Sequence, residues 1–219
     1  MTRSRSTTPG LRAGKDERLM NCPLRCRCGL VEGYVASPHI AVHAVCYCSD
    51  CQAFARYLGA SERILNGLGG TEIIATVPRH VQFSAGAGEL RCMRLSDKGL
   101  LRWYAACCRT AIGNTPPDPK LPYVGLIRSC LPGSSDEIDR AFGPSRISLN
   151  AESASGPVSP ARLANVMGLL KIIRNVSLAR LRGATKDNPF FRPGSNEPIS
   201  KPQILSPQER TAFRASPGK

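Results

Sequence analysis

Through the first two-thirds of the chain, apolar residues come in short alternating runs, the spacing of half-buried strands rather than of long helices. Leu30-Val31-Glu32-Gly33-Tyr34-Val35 and His39-Ile40-Ala41-Val42-His43-Ala44-Val45 read as two strands separated by the turn signal Ser37-Pro38. Further strand-like runs cover Glu72–Val77, Val81–Ser84, Leu90–Leu95, Leu100–Ala105 and Tyr123–Arg128, punctuated by Gly69-Gly70, Pro78, Gly86 to Gly88 and Asp97-Lys98-Gly99. A short helix fits Gln52 to Leu58, with Ser49 or Asp50 as its cap and Gly59 as its stop.

The pattern fades where Gly, Ser and Pro rise, and 136–158 reads as a linker. An amphipathic helix then spans 159–183, capped by Ser159 with Pro160 at its first position. Leu163, Val166, Met167, Leu170, Ile173, Val176 and Leu181 form a stripe on it, expected to pack against the β domain. Six prolines mark 184–219 as an extended tail, and the polar, basic residues 1–19 read as disordered. The expectation is a mainly β domain over 20–135 with an added C-terminal α-helix.

At 42% hydrophobic and 21% charged residues, the 219-residue chain has enough apolar surface to bury a core. Its net charge of +14 is concentrated at the ends, with +3 in 1–19 and +7 in 151–219, leaving +4 for 20–150. Such ends read first as solvated segments, and few aromatic residues flank them, which argues against a base-stacking nucleic-acid protein. The longest apolar run, Val166 to Val176, is broken by Lys171 and Arg174 and is too short to span a membrane. The N-terminus lacks the apolar region of a secretory signal, so the ten cysteines are expected in a reducing cytoplasm, as metal ligands rather than disulfides.

Two cysteine clusters carry the chemistry. Cys46-Tyr47-Cys48-Ser49-Asp50-Cys51 gathers three thiols within six residues at a strand-to-helix junction, where the helix dipole favours thiolate at Cys51. Three protein ligands with a vacant fourth position is the pattern of a catalytic zinc. Cys26-Arg27-Cys28-Gly29 supplies a second pair, whose obvious partners are Cys107 and Cys108, giving a closed structural site. Cys22, Cys92 and Cys130 stand alone and read as small core residues, and His39 and His43 as packing or surface residues. A redox role for Cys48 and Cys51, or for the vicinal Cys107-Cys108 pair, is a further reading.

The two motifs, in this order and spacing, resemble the glutathione-dependent formaldehyde-activating enzyme family, which includes the centromere protein V-like proteins. A third family motif, Phe-Cys-x-x-Cys-Gly, corresponds here to Trp103-Tyr104-Ala105-Ala106-Cys107-Cys108-Arg109-Thr110, with Ala105 in place of its first cysteine. Either Cys107 or Cys22 substitutes for that ligand, or the structural zinc is lost. The resemblance covers about 24–130 and implies a β-tent fold of short antiparallel sheets around two zinc sites. It implies a catalytic zinc at Cys46, Cys48 and Cys51, a structural one at Cys26 and Cys28 completed by later cysteines, and condensation of formaldehyde with glutathione. The expected function is thus a zinc-dependent carbon–sulfur lyase acting on glutathione or another thiol adduct, with Arg56, Arg94, Arg102 and Arg109 as candidate cations for an acidic thiol. A zinc-stabilised binding module is the alternative.

Overall fold

The computed structural model describes residues 21–159, 162–183 and 187–214; the expected N-terminal segment 1–19 and the expected Pro160 at the helix start lie outside them. In chain order the elements are β1 (Cys22–Arg25), β2 (Glu32–Val35), β3 (Val42–Cys46), α1 (Ser49–Tyr57), α2 (Ser61–Ile64), β4 (Thr71–Thr76), β5 (Val81–Ala85), β6 (Leu90–Arg94), β7 (Leu101–Ala105), β8 (Thr110–Thr115) and β9 (Val124–Ile127). There follow α3 (Ser135–Phe142), β10 (Ile147–Leu149), α4 (Arg162–Leu181), β11 (Gln203–Ile204) and α5 (Pro207–Arg214).

The fold is mainly β. β1, β2 and β5 make a small antiparallel sheet, and eight strands make a large one in the order β10-β3-β4-β9-β8-β7-β6-β11. Both edges of the large sheet are parallel additions, β10 on β3 and β11 on β6, and the sheets stay open rather than closing into a barrel.

The large sheet is buried on both faces, so its inner strands bury successive residues rather than every second one. On one face Ile74, Leu90, Trp103, Ile112 and Leu126 meet Leu24, Val35 and Val81 of the small sheet. On the other, Met93, Ala111 and Ile127 meet Phe54 of α1 and Leu58, the residue that follows it. Trp103 is fully buried, and its indole Nε1 donates to Thr115 Oγ1 at 2.9 Å, which satisfies the one polar atom this side chain carries inward.

Three stretches differ from the sequence expectation. The expected linker 136–158 carries most of α3 and all of β10: Ser134 caps α3 with Glu137 returning the bond, and β10 pairs in parallel with β3. The expected extended tail is partly core, because Phe190 is fully buried with its ring 5.2 Å from that of Trp103. Third, α4 is rotated away from expectation. Leu163, Val166, Met167, Leu170, Ile173 and Leu181 of the expected packing stripe are exposed, while Gly168 and Ala179 are the buried positions.

Polar side chains fix that rotation. Lys171 Nζ donates to Ala41 O at 2.7 Å, and Asn175 Nδ2 to Ile40 O at 2.8 Å. The Asn165 amide pairs with both the N–H and the C=O of Ser148 at 2.9 Å, closing the open edge of β10 as a strand would. Gly168 lets the helix approach closely: a Cβ there would lie 2.0 Å from Ile147 Cδ1.

Candidate metal centres

The first centre joins two turns distant in sequence. After β1 the chain folds back through Cys26 to Val31: Gly29 N donates to Cys26 O at 3.0 Å, Gly29 holds a φ of +82°, and Val31 N donates to Cys26 Sγ at 3.2 Å. The β7–β8 hairpin turns between Ala105 and Thr110, with Arg109 in the left-handed region at a φ of +55°. This turn brings both vicinal cysteines to the same point, with Cys107 and Cys108 sulfurs 3.8 Å apart. Arg27 N, donating to Thr110 Oγ1 at 3.0 Å, ties the two turns together.

Cys26, Cys28, Cys107 and Cys108 thus converge, all four sulfurs lying within 4.8 Å of one another. Three further separations are Cys26–Cys28 at 3.5 Å, Cys26–Cys107 at 3.8 Å and Cys28–Cys107 at 3.3 Å. A tetrahedron of sulfurs about 2.3 Å from a central zinc has edges of about 3.8 Å. The donor set fits that ion. Against the cost of burial, the hydrogen bond with Thr110 Oγ1 and contacts to Cys28 and Cys26 bring Cys108 down to about 6, whereas burial and then the neighbouring Cys28 thiol push Cys107 up. Without a cation the Cys108 thiolate forms readily and that of Cys107 does not. Cys107 stands in this group with Cys26, Cys28 and Cys108, while Cys22 lies in β1 outside it.

The second centre is local. Cys46 is the last residue of β3, Cys48 is the N-cap of α1 and Cys51 lies in its first turn. The cap is therefore Cys48, not Ser49 or Asp50: its sulfur accepts from Cys51 N at 3.4 Å. All three sulfurs lie within 4.8 Å of one another, and among the described residues no fourth His, Cys, Asp or Glu joins them. Cys46 takes the first negative charge, held low by hydrogen bonds from Cys48 and Cys51, and those two are pushed up first by their contact with Cys46. Only a bound cation would let all three ionise together.

Three residues beyond the motif shape this centre. Asn150 Nδ2 points at Cys46 Sγ from 3.5 Å, placed there because Leu149 pairs with Cys46 across the β10–β3 ladder. Arg102 is buried; its Nη1 lies 3.8 Å from Cys51 Sγ and 3.3 Å from Asn114 Oδ1, and its Nη2 is 3.7 Å from Asp50 Oδ2. Tyr123 is raised to about 12 by burial and by the charges of Cys51 and Cys46. Sequence reasoning named Arg102 among four arginines and missed Asn150 and Tyr123. Asn150 had no signal, because it enters from the stretch expected as linker.

The other three arginines are committed elsewhere. Arg56 Nη1 donates to Phe213 O at 2.8 Å, Arg94 Nε to Gly99 O at 3.1 Å, and Arg109 Nε to Leu58 O at 3.1 Å. The first of these belongs to a clamp in which α5 lies on α1. Arg214 pairs with Asp50, and the Phe213 ring packs edge-on to Tyr57 at 5.6 Å.

The lone cysteines behave as core residues. Burial raises Cys22 to about 11, and Cys92 and Cys130 to about 12. Neither His39 nor His43 joins a metal-ligating group among the described residues.

The sequence profile of a family of unknown function (DUF6151) matches residues 19–201. None of the curated proteins matches. Among solved structures, the crystal structure of a Rhodobacter sphaeroides protein is similar over 57% of this chain and 98% of that chain, with 18% identity and a TM-score of 0.37. No helix among the described residues is long and apolar enough to cross a membrane.

Proposed function

The chain belongs to the family of unknown function DUF6151, and we propose that it is a zinc-dependent enzyme of carbon–sulfur chemistry, acting on glutathione or a similar thiol at Cys46, Cys48 and Cys51. One contrast carries this reading. The same chain builds a four-sulfur group, complete for a structural ion, and a three-sulfur group to which no described His, Cys, Asp or Glu adds a fourth ligand. A protein that needed two structural ions would gain from closing both.

When bound, zinc would supply a Lewis-acid position for a thiolate or a carbonyl oxygen. The protein's own groups prepare that position. Cys51 N and Asn150 Nδ2 each point a hydrogen at a ligand sulfur, fixing the orientation of Cys48 and Cys46. Three thiolates around a divalent ion leave one net negative charge, and the Arg102 guanidinium beside Cys51 balances it within the buried site. In the reaction implied by the resemblance, the thiol sulfur adds to the carbonyl carbon of formaldehyde. A carbon–sulfur bond forms, the carbonyl π bond breaks, and the thiol proton ends on oxygen. No oxidant or reductant enters, and the reverse step is the lyase direction.

Cobalt-substituted protein titrated with glutathione tests the proposal. The visible absorption of the three-sulfur site is expected to change as a fourth sulfur arrives, and this response should vanish in Cys48→Ser. A wild-type spectrum that stays constant at saturating glutathione would overturn the reading.

A further inference from the structure

α4 carries its apolar residues outward. Leu163, Val166, Met167, Leu169, Leu170, Ile173, Leu178 and Leu181 are all at least 40% exposed, and the hydrogen bonds of Asn165, Lys171 and Asn175 hold the helix in this orientation. The outward face is therefore a built feature rather than a helix free to roll over. Twenty residues at 1.5 Å rise make an apolar ridge about 30 Å long.

The charge beside the ridge has one sign. The helix contains Arg162, Lys171, Arg174 and Arg180 and no acidic residue. Two grooves follow one another along one side of it, of about 610 and 420 Å³, and neither is lined by a carboxylate. Arg146 and Arg174 line the first, Arg79, Arg174 and Arg182 the second.

We propose that α4 is a membrane-docking helix, which lies in the plane of an anionic lipid bilayer with its leucine and isoleucine side chains among the acyl chains and its arginines at the headgroups. A convex apolar ridge bordered by cations alone is the form that inserts shallowly into such a surface. Long arginine stems reach outward from the apolar zone to phosphates. The charges oppose a second copy as occupant: two such faces in contact would set Arg162, Arg174 and Arg180 against their counterparts without a carboxylate between them. The helix is too short of apolar residues to span, so it rests on the bilayer.

The test is flotation of the metal-loaded full chain with vesicles of phosphatidylcholine alone and of phosphatidylcholine mixed with phosphatidylglycerol. Binding to the mixed vesicles is expected to exceed binding to the neutral ones by at least about tenfold and to fall as salt is raised. Arg174→Gln should weaken it about fivefold. Leu170→Ser combined with Ile173→Ser should abolish it while leaving the circular dichroism spectrum and melting temperature unchanged, because both side chains are exposed. Equal binding to the two vesicle types, or a double variant that floats like wild type, would overturn the proposal. A lipid-free dimer in sedimentation that the double variant converts to monomer would also overturn it, assigning the face to a second copy.

Discussion

Replacing both vicinal cysteines, Cys107→Ser with Cys108→Ser, removes one half of the four-sulfur centre and little core packing, since Cys107 is exposed and the half-buried Cys108 only borders the core. A metal bound there links Cys28 to Cys107 across 79 residues. The chain-entropy relation for a cross-link of that span gives about 4.5 kcal/mol at 25 °C. The binding energy of structural zinc, about 10 kcal/mol or more, exceeds this, so the loop term governs what the link adds. For a chain of this size each kcal/mol moves the melting temperature by about 2–4 °C. The zinc-loaded double variant should therefore melt roughly 9–18 °C below zinc-loaded wild type. Differential scanning calorimetry gives the shift, and elemental analysis should show the zinc content falling from two per chain to one. Wild type stripped of both ions by a chelator should melt no higher than the variant, which keeps one. A variant that keeps two zincs, or melts within about 2 °C of wild type, would refute the assignment of these four sulfurs to one ion.

Two further outcomes are expected. His43 is raised: although burial would lower it, Glu72 with its carboxylate 3.6 Å away, the Gly143 carbonyl at 3.0 Å and Asp139 together outweigh that cost, while Glu72 is lowered chiefly by His43. The histidine's contribution is full below its ordinary value of 6.5 and lost as pH rises through its raised one, and the glutamate's is present above 4.5 and lost as pH falls. Wild type should thus be favoured over His43→Gln most between about pH 4.5 and 6.5, and denaturation curves whose difference is flat from pH 5 to 8 would contradict this. Arg102→Met should weaken zinc at the three-sulfur centre by roughly 10- to 100-fold while leaving the four-sulfur centre unchanged. Competition against a chromophoric chelator measures both sites, and equal loss at the two would count against Arg102 as the local counter-charge.

The strands were legible because their alternation has a period of two and glycine or proline ends them; all seven expected strand-like runs fall on observed strands, from β2 to β9. β8 escaped because Thr110-Ala111-Ile112-Gly113-Asn114-Thr115 carries one large apolar residue, yet every position is buried between neighbours. The cysteine clusters were legible because close spacing forces sulfurs together whatever the fold. How Cys107 and Cys108 both come to face Cys26 and Cys28 was not, since that depends on the left-handed Arg109 in a four-residue turn. One unused signal stood at the start of the stretch read as linker, the capping box of Ser134 and Glu137. The error on α4 has a different origin. An apolar stripe predicts burial only when nothing else competes for the inner face, and here Asn165, Lys171, Asn175 and the small Gly168 occupy it.

The clamp of α5 on α1 sets an order of events during synthesis. Arg56 and Phe213, which it joins, are 157 residues apart. At roughly 5–20 residues per second, α1 waits on the order of 10 s after leaving the ribosome for the helix that braces it. Asn150, too, follows Cys46 by 104 residues. Throughout that interval Cys46, Cys48 and Cys51 sit together without the amide and the clamp that complete their surroundings. Nascent chains are thus most open to oxidants, and to the wrong metal, before their C-terminal third has been made.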